Sequence, residues 1–361
     1  MIEYKEYELK DVCSRLSSGK GIPAAQVHDE GKFPVYGGNG LRGYTDHSNF
    51  VGSCAIIGRQ GAFCGNVRFF SGEAYMTEHA VVVCANPEHN THYLAYLLSM
   101  MNLGRLSGQS AQPGLSVKTL AKQRISLPSL EVQNKVVAIL ETLENKIALN
   151  NKINDNLEQQ AKSFYIKWFA DAQPFMTNRK LSDIAIITMG QSPNGKSYNE
   201  QGEGEVFYQG RAEFGARFPT RRLYTTEPKR MAEPGDVLLS VRAPVGDMNV
   251  AYEKCCVGRG LAAIHSKTGN GSFLLYTMFG LKTQLDVFNG EGTVFGSINR
   301  EALAAMPVQI PSNEAMAQFE KMVRPMDDLI KTNYEENCRL EEFRNSLLPK
   351  LMSGKIDVED T

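Results

Sequence analysis

The chain has 361 residues, 42% of them hydrophobic and 22% charged, with 39 basic against 40 acidic side chains for a formal net charge of −1. These values describe a soluble globular protein of two or three domains with room for real cores, and they exclude a helical membrane protein, since no stretch approaches the ~20 consecutive apolar residues a spanning helix needs. Met1 to Lys10 is charged and lacks the apolar run of a signal peptide, so the expected location is cytoplasmic. Seven cysteines form an odd set without a C-x-x-C pair, which argues against a disulfide framework and against a structural zinc site. Near-zero net charge, read alone, also speaks against a nucleic-acid partner, but it averages over segments that do different work.

In chain order the first elements are short strands. Phe33-Pro-Val-Tyr-Gly-Gly-Asn-Gly40 and Cys54-Ala-Ile-Ile-Gly58 combine glycine with aromatic and β-branched residues. After Pro128 the pattern changes to a glycine-poor helical period. Val136, Leu140, Leu143, Ile147, Asn150, Asn154, Leu157, Ala161, Phe164 and Trp168 alternate by four and three residues, the a/d seam of a coiled coil. A second strand-rich stretch includes Gly235-Asp-Val-Leu-Leu-Ser-Val241. After Pro311 the seam returns as Phe319, Val323, Met326, Ile330, Asn333, Asn337, Leu340, Arg344, Leu347 and Leu351. Pro325 cannot donate a helical hydrogen bond, so the second helix is expected to start or kink there.

The recurrence is a repeat of the chain on itself. At a constant offset Leu120-Ala121 corresponds to Leu303-Ala304, Pro128-Ser129 to Pro311-Ser312, Asn150 to Asn333, Asn154 to Asn337 and Leu157-Glu158 to Leu340-Glu341. Upstream, Leu9-Lys-Asp-Val12 resembles Leu181-Ser-Asp-Ile184. The expected fold class is α+β: two mixed α/β domains in pseudo-twofold tandem repeat and two long helices pairing as an antiparallel coiled coil. The segments are 1–128 and 174–311 for the globular domains and 129–173 and 312–361 for the helices. An asparagine at a seam position must find a polar group across the seam and so penalises wrong registers. The pairing set is Leu140, Leu143, Ile147, Asn150, Asn154 and Leu157 against Val323, Met326, Ile330, Asn333, Asn337 and Leu340.

Sorted by segment, the net charge becomes +2, −1, +2 and −4, so mildly basic globular parts sit with acidic helical ones. The second globular part gathers Arg211, Arg217, Arg221, Arg222, Lys229 and Arg230 among Tyr208, Phe214, Phe218 and Tyr224. Cations among aromatic rings suit a surface that touches phosphates, sugars and base edges.

Two variable regions, each followed by a helix entered through Pro-Ser-x-Glu (Pro128-Ser-Leu-Glu131 and Pro311-Ser-Asn-Glu314), resemble the specificity (S) subunits of type I restriction–modification systems. Leu347-Leu-Pro-Lys-Leu-Met-Ser-Gly-Lys-Ile356 is similar to their C-terminal signature, and Met189-Gly-Gln-Ser-Pro193 to the usual opening of one of their target recognition domains. Tyr36-Gly-Gly-Asn-Gly40 with Gly58-Arg-Gln-Gly61 resembles another common variety. The pattern departs at Glu131-Val-Gln133 and Glu314-Ala-Met316, where the family usually has Glu-Gln.

The resemblance implies two domains that each read one half of an asymmetric bipartite DNA site. The helices would set the gap between the halves and dock two methylation (M) subunits, and restriction (R) subunits would join for cleavage. It implies no cofactor in this chain: S-adenosylmethionine belongs to the methylation subunit, ATP and magnesium to the restriction subunit. A helix from Val136 to Trp168 would be about 50 Å long at ~1.5 Å per residue, matching one to one and a half turns of B-DNA at ~34–36 Å each. The rival reading is a coiled-coil protein scaffold that touches no nucleic acid.

No methyltransferase tetrad such as Asp-Pro-Pro-Tyr, no H-E-x-x-H and no G-x-S-x-G occurs. Gly190-Gln-Ser-Pro-Asn-Gly-Lys-Ser197 satisfies the literal P-loop pattern, yet Tyr198-Asn-Glu-Gln-Gly-Glu-Gly204 after it is turn chemistry where a P-loop needs a helix. Base reading calls for Arg, Lys, Asn or Gln on loops held by a rigid scaffold. The candidates in the first domain are Asn39, Arg42, Tyr44, Arg59, Gln60, Asn66, Arg68, Gln109 and Gln112. In the second they are Gln191, Lys196, Arg211, Arg217, Arg221, Arg222, Arg242 and Arg259. Arg59 and Arg242 correspond at the repeat offset.

Overall fold

Ala80-Val-Val-Val-Cys-Ala85 is buried along most of its length, as expected of a strand covered on both faces, and it lies inside the larger sheet of the first unit. The computed structural model describes residues 2–107, 114–170, 177–290 and 296–358. They divide into two units, residues 1–148 with 337–361, and residues 149–336.

In the first unit the strands are β1 (Lys5–Glu8), β2 (Cys13–Ser18), β3 (Phe33–Gly37), β4 (Gly40–Thr45), β5 (Phe50–Gly58), β6 (Val67–Met76), β7 (Ala80–Ala85) and β8 (Arg124–Leu127). The helices are α1 (Thr91–Met100), α2 (Val117–Ala121) and the first part of α3 (Leu130–Ala170). Six strands form one sheet in the order β2-β7-β5-β6-β3-β4, antiparallel except where β3 runs parallel to β6. One face, with Ala55, Ile57, Val81 and Val83, packs on Tyr93, Leu94 and Leu98 of α1 and on Val136, Val137 and Leu140 of α3. Burying one such aliphatic side chain contributes roughly 1.5–3 kcal/mol. The other face encloses a smaller core of Phe50, Cys54, Ile56, Met76 and Val82. The C-terminal residues Leu351, Met352 and Val358 close the main core from below, and the Tyr4 hydroxyl donates to the Met352 carbonyl at 3.2 Å.

The second unit comprises β9 (Thr177–Lys180), β10 (Ala185–Met189), β11 (Tyr198–Asn199), β12 (Glu205–Tyr208), β13 (Leu223–Thr225), β14 (Met231–Ala232), β15 (Val237–Ser240), β16 (Met248–Val250), β17 (Cys255–Val257), β18 (Leu261–Ser266) and β19 (Pro307–Ile310). Its helices are α4 (Leu181–Ile184), α5 (Gly271–Gly280), α6 (Lys282–Asp286), α7 (Arg300–Ala304) and most of α8 (Asn313–Met352). The repeat is visible in the pairing. β2-β7-β5 in the first unit matches β10-β18-β15 in the second, with every neighbour antiparallel in both. The ribbon of β1 on β8 matches that of β9 on β19. β16 flanks β15 as β6 flanks β5, and the second unit differs in having β11-β13-β12-β17-β14 as a separate five-stranded sheet.

Each ribbon leads into a long helix by the same cap. Ser129 Oγ accepts from the Val132 amide at 3.4 Å and Ser312 Oγ from the Ala315 amide at 3.2 Å, so the Pro-Ser-x-Glu entry is a helix N-cap in both copies. The helices run longer than the heptads alone imply, 41 residues for α3 and 40 for α8. Helix α8 starts at Asn313 and continues through Pro325, so a start at that proline is corrected. Pro325 faces solvent, where a lost backbone bond is met by water.

Every seam position, from Val136 to Trp168 and from Phe319 to Leu351, is buried or half-buried. In the second unit the partners run in opposite directions along α3 and α8: Asn150 Nδ2 donates to Glu336 at 2.7 Å and Asn154 Oδ1 accepts from Asn333 Nδ2 at 2.8 Å. In the first unit Glu144 meets Arg344 at 3.8 Å, again antiparallel. Asn333→Ala should leave the Asn154 oxygen without its partner in the seam, at a cost of about 1–3 kcal/mol, whereas Leu at both positions should recover stability while relaxing the register. Denaturant unfolding of the parent, the single and the double variant measures this.

Candidate nucleic-acid interface

The strands that correspond between the units end at corresponding places. In the first unit the end of β2, the end of β5 and the turn before β7 meet, and the β3–β4 hairpin leans on them. The close approach requires Gly58, where a Cβ would stand 2.2 Å from the Phe63 carbonyl oxygen and 2.6 Å from that of Gly38. In the second unit Gly190, just past β10, plays the same part, since a Cβ there would lie 2.1 Å from the Gly258 carbonyl oxygen. These two contacts explain the glycine motifs read from the sequence.

Arg59 leaves β5 half-buried. Its amide donates to the His79 carbonyl at 3.0 Å, its carbonyl accepts from Leu115 at 2.8 Å, and Nη1 reaches Ser18 Oγ at 3.4 Å. Gln60, exposed beside it, bridges Gly114. Arg242 follows β15, exposed and bridged to Ser297 as Gln60 is to Gly114, while the backbone counterpart of Arg59 is Val241, whose amide donates to the Gly260 carbonyl at 3.0 Å and whose carbonyl accepts from Ile298 at 3.1 Å. With Arg259, which precedes β18, Arg242 borders a cleft of about 640 Å³ lined by Met189, Gly190, Ala243 and Asn299. Gln191, exposed, anchors its amide on the Val257 carbonyl at 2.9 Å.

Asn39 occupies the hairpin turn, Arg42 and Tyr44 lie on β4, and Arg68 lies on β6 with its guanidinium against Gly40. Tyr36 sits among them: burial raises its phenol, with Tyr44 adding to the shift and Arg68 opposing it. Asn66 is exposed just before β6, near the start of a separate groove with Arg68 and Gly104. Gln109 and Gln112 lie outside the described residues. The sequence reading passed over Lys20, which is exposed one residue beyond Gly19. Strand pairing, in which Gly19 donates to the Ala80 carbonyl and Gly190 to that of Leu261, sets Gly19-Lys20 against Gly190-Gln191, one residue off the sequence offset of Leu9 to Leu181.

The basic window of the second unit has a different character. Arg211 pairs with Asp247, Arg222 with Glu213, and Arg221 forms a two-pronged bond with Glu253, one prong at 2.9 Å. Hydrogen bonding to these carboxylates raises Arg221 and Arg222. Arg217 is corrected as a DNA contact. It is 8% exposed, held by Glu158 of α3 at 3.0 Å and by Asp327 of α8, over the rings of Tyr276 and Phe279. Burial opposes its charge, and Asp327, Tyr276 and Glu158 outweigh that opposition. Tyr276 also donates to Asp327 at 2.9 Å. Among the described residues Arg42, Arg59, Arg68, Lys196, Arg242 and Arg259 form no ion pair.

Nor does the P-loop pattern hold a phosphate cradle. Gly195–Ser197 is a single 3-10 turn leading into β11, and Ser197 Oγ is buried against the Asn194 carbonyl and Thr225 Oγ1, both at 2.7 Å. Among the described residues no cluster of three or more His, Cys, Asp or Glu could hold a metal, and no helix is long and apolar enough to cross a membrane.

A tandem pair of mixed α/β units, each with a basic strand-end surface and an arm of an antiparallel helix pair, defines a class of repeat-built recognition proteins. The family model for the type I restriction modification DNA specificity domain matches residues 1–159 and 175–342, and the chain belongs to that family. It is 32% identical to a putative type I restriction enzyme MjaX specificity subunit of Methanocaldococcus jannaschii, over 82% of this chain and 76% of that one. It is 36% identical to the EcoprrI specificity subunit of Escherichia coli over 43% of this chain and 40% of that one. The crystal structure of a type I S subunit from M. genitalium shares the fold with a TM-score of 0.60 at 18% identity, over 97% of this chain and 96% of that one.

Arg217→Met should strand two carboxylates in a mostly buried site and cost about 3–5 kcal/mol. Arg221→Gln, on an exposed pair, should cost under about 1 kcal/mol. Restoring stability by adding Glu158→Gln and Asp327→Asn to Arg217→Met would identify the charge imbalance as the cause, and thermal unfolding of the series reads it out.

Proposed function

We infer that this chain is the non-catalytic DNA-recognition subunit of a type I restriction–modification complex, working in the cytoplasm. Each unit reads one half of an asymmetric bipartite site in double-stranded DNA. The observation that carries the reading is the repeat itself, with two copies of one strand-end surface on which Arg59 and Arg242, one position apart in the matched backbone, have no carboxylate partner among the described residues. A scaffold without nucleic acid would leave both idle.

The paired helices set the gap and dock two methylation subunits, and restriction subunits join that assembly. Exposed Leu149, Ile153, Ile166 and Leu329 on the helices supply apolar contact for partner docking. The chain needs no cofactor of its own: S-adenosylmethionine belongs with the methylation subunit, ATP and magnesium with the restriction subunit. Each globular segment carries only +2, so the chain alone should bind DNA weakly and depend on its partners for most phosphate contacts.

Genome-wide methylation mapping of a deletion strain, with and without the restored gene, tests the reading. The expected result is one bipartite methylated motif that disappears and returns, and an unchanged methylome would overturn it. Adding one heptad to both helices keeps the seam in phase and lengthens them by about 10 Å. The gap should then grow by about three base pairs at ~34–36 Å per turn, with both half-sites unchanged.

A further inference from the structure

The sequence draws the eye to the cationic window from Arg211 to Arg222, but the structure neutralises it. Arg211, Arg221 and Arg222 each face a carboxylate of the same unit, and Arg217 is buried between two. A guanidinium already held by a two-pronged carboxylate bond offers a DNA acceptor only what remains after that bond is broken, and the displaced carboxylate would then face the phosphates. The strand-end arginines stand under no such constraint. Arg59 is steadied by a neutral hydroxyl, Ser18 Oγ at 3.4 Å, and Arg242 and Arg259 border an open cleft of about 640 Å³ without an acid among its lining residues.

Both places are built on paired backbone: Leu115 donates to the Arg59 carbonyl at 2.8 Å, and Ala243 donates to the Gly296 carbonyl at 3.0 Å. They thus carry rigid, charged, uncompensated donors at corresponding strand ends, one position apart in the matched backbone. Resting on the DNA-recognition reading, we propose that Arg59 in the first unit and Arg242 with Arg259 in the second are the anchors on duplex DNA, each unit gripping its own half-site. The window from Arg211 to Arg222 is then part of the fold rather than of the reading surface. The ligand chemistry is a planar pair of acceptors, offered either by the O6 and N7 edge of guanine or by a phosphate.

The test uses the full chain coexpressed with its methylation partner. Duplexes carry the methylated motif found in cells, or that motif with one half-site scrambled, and binding is followed by fluorescence anisotropy across a salt series. Arg242→Gln and Arg259→Gln should each weaken binding about tenfold or more and act through the second unit's half-site, so that scrambling that half costs them little more. Arg59→Gln should do the same for the other half. Arg221→Gln should bind within about twofold of the parent.

Two patterns support the proposal and separate the acceptors. A preference lost at one base pair marks guanine, whereas a uniform loss with a shallower salt slope, rescued by Arg242→Lys, marks phosphate. Thermal unfolding of each variant establishes that it is folded. If the parent complex shows no preference for the intact motif, the recognition reading itself fails. If the parent binds specifically while Arg59→Gln and Arg242→Gln bind as it does, or if Arg221→Gln loses as much as they do, the proposal alone is overturned.

Discussion

The seam between the two long helices is the constraint on which the rest depends. Neither helix is stable as a free 40-residue rod with one apolar stripe in water, and each finds its partner in the other copy of the same repeat. Burial of the seam therefore requires both copies. Its asparagines reject alternatives: a shift by one heptad would separate Asn154 from Asn333 and leave both amides against carbon. The same helices enter the globular cores, since Val136 and Leu140 belong to the first main core and Phe319 and Val323 to the second. A change in the seam is felt directly by the domain that packs on it.

Docking of the globular parts onto the helices uses polar locks as well as apolar packing. In the first unit His92, stacked between Phe69 and Tyr96, bonds Glu141 of α3 at 2.8 Å, and Tyr96 donates to Glu144 at 2.9 Å. The second unit uses Arg217 with Glu158 and Asp327, and Glu320 of α8 accepts the amides of Ser272 and Phe273 at the start of α5. Buried pairs of this kind contribute little net stability against an apolar substitute, yet they hold one orientation because a partner left alone is costly. A reader of DNA needs that property, since a base contact fails when its scaffold turns.

The architecture was legible in the sequence because repetition and period are properties of the chain. The heptads, the Pro-Ser-x-Glu caps and the antiparallel pairing all follow from positions that recur. The site was less legible. Arg211, Arg221 and Arg242 look alike in sequence, and what separates them is whether Asp247, Glu253 or no acid lies opposite in space. Asp247 and Glu253 are 36 and 32 residues away from their arginines, too far for spacing to reveal. Arg217 was misread for the same reason, because its two carboxylates come from the helical segments. Lys20 was passed over because its surroundings carry no basic cluster and only the strand pairing, not the sequence offset, sets it against Gln191.

The segmental charges now have a physical meaning finer than their sums. The second globular segment totals +2, but Arg211, Arg221 and Arg222, the centre of its cationic window, are engaged by its own carboxylates, so that window is less open to a ligand than its sequence suggests. A surface rich in uncompensated cations would bind any DNA tightly, and nonspecific affinity competes directly with search for a rare site. Neutralising the window from Arg211 to Arg222 internally keeps the aromatic and guanidinium packing that the fold uses while limiting that background.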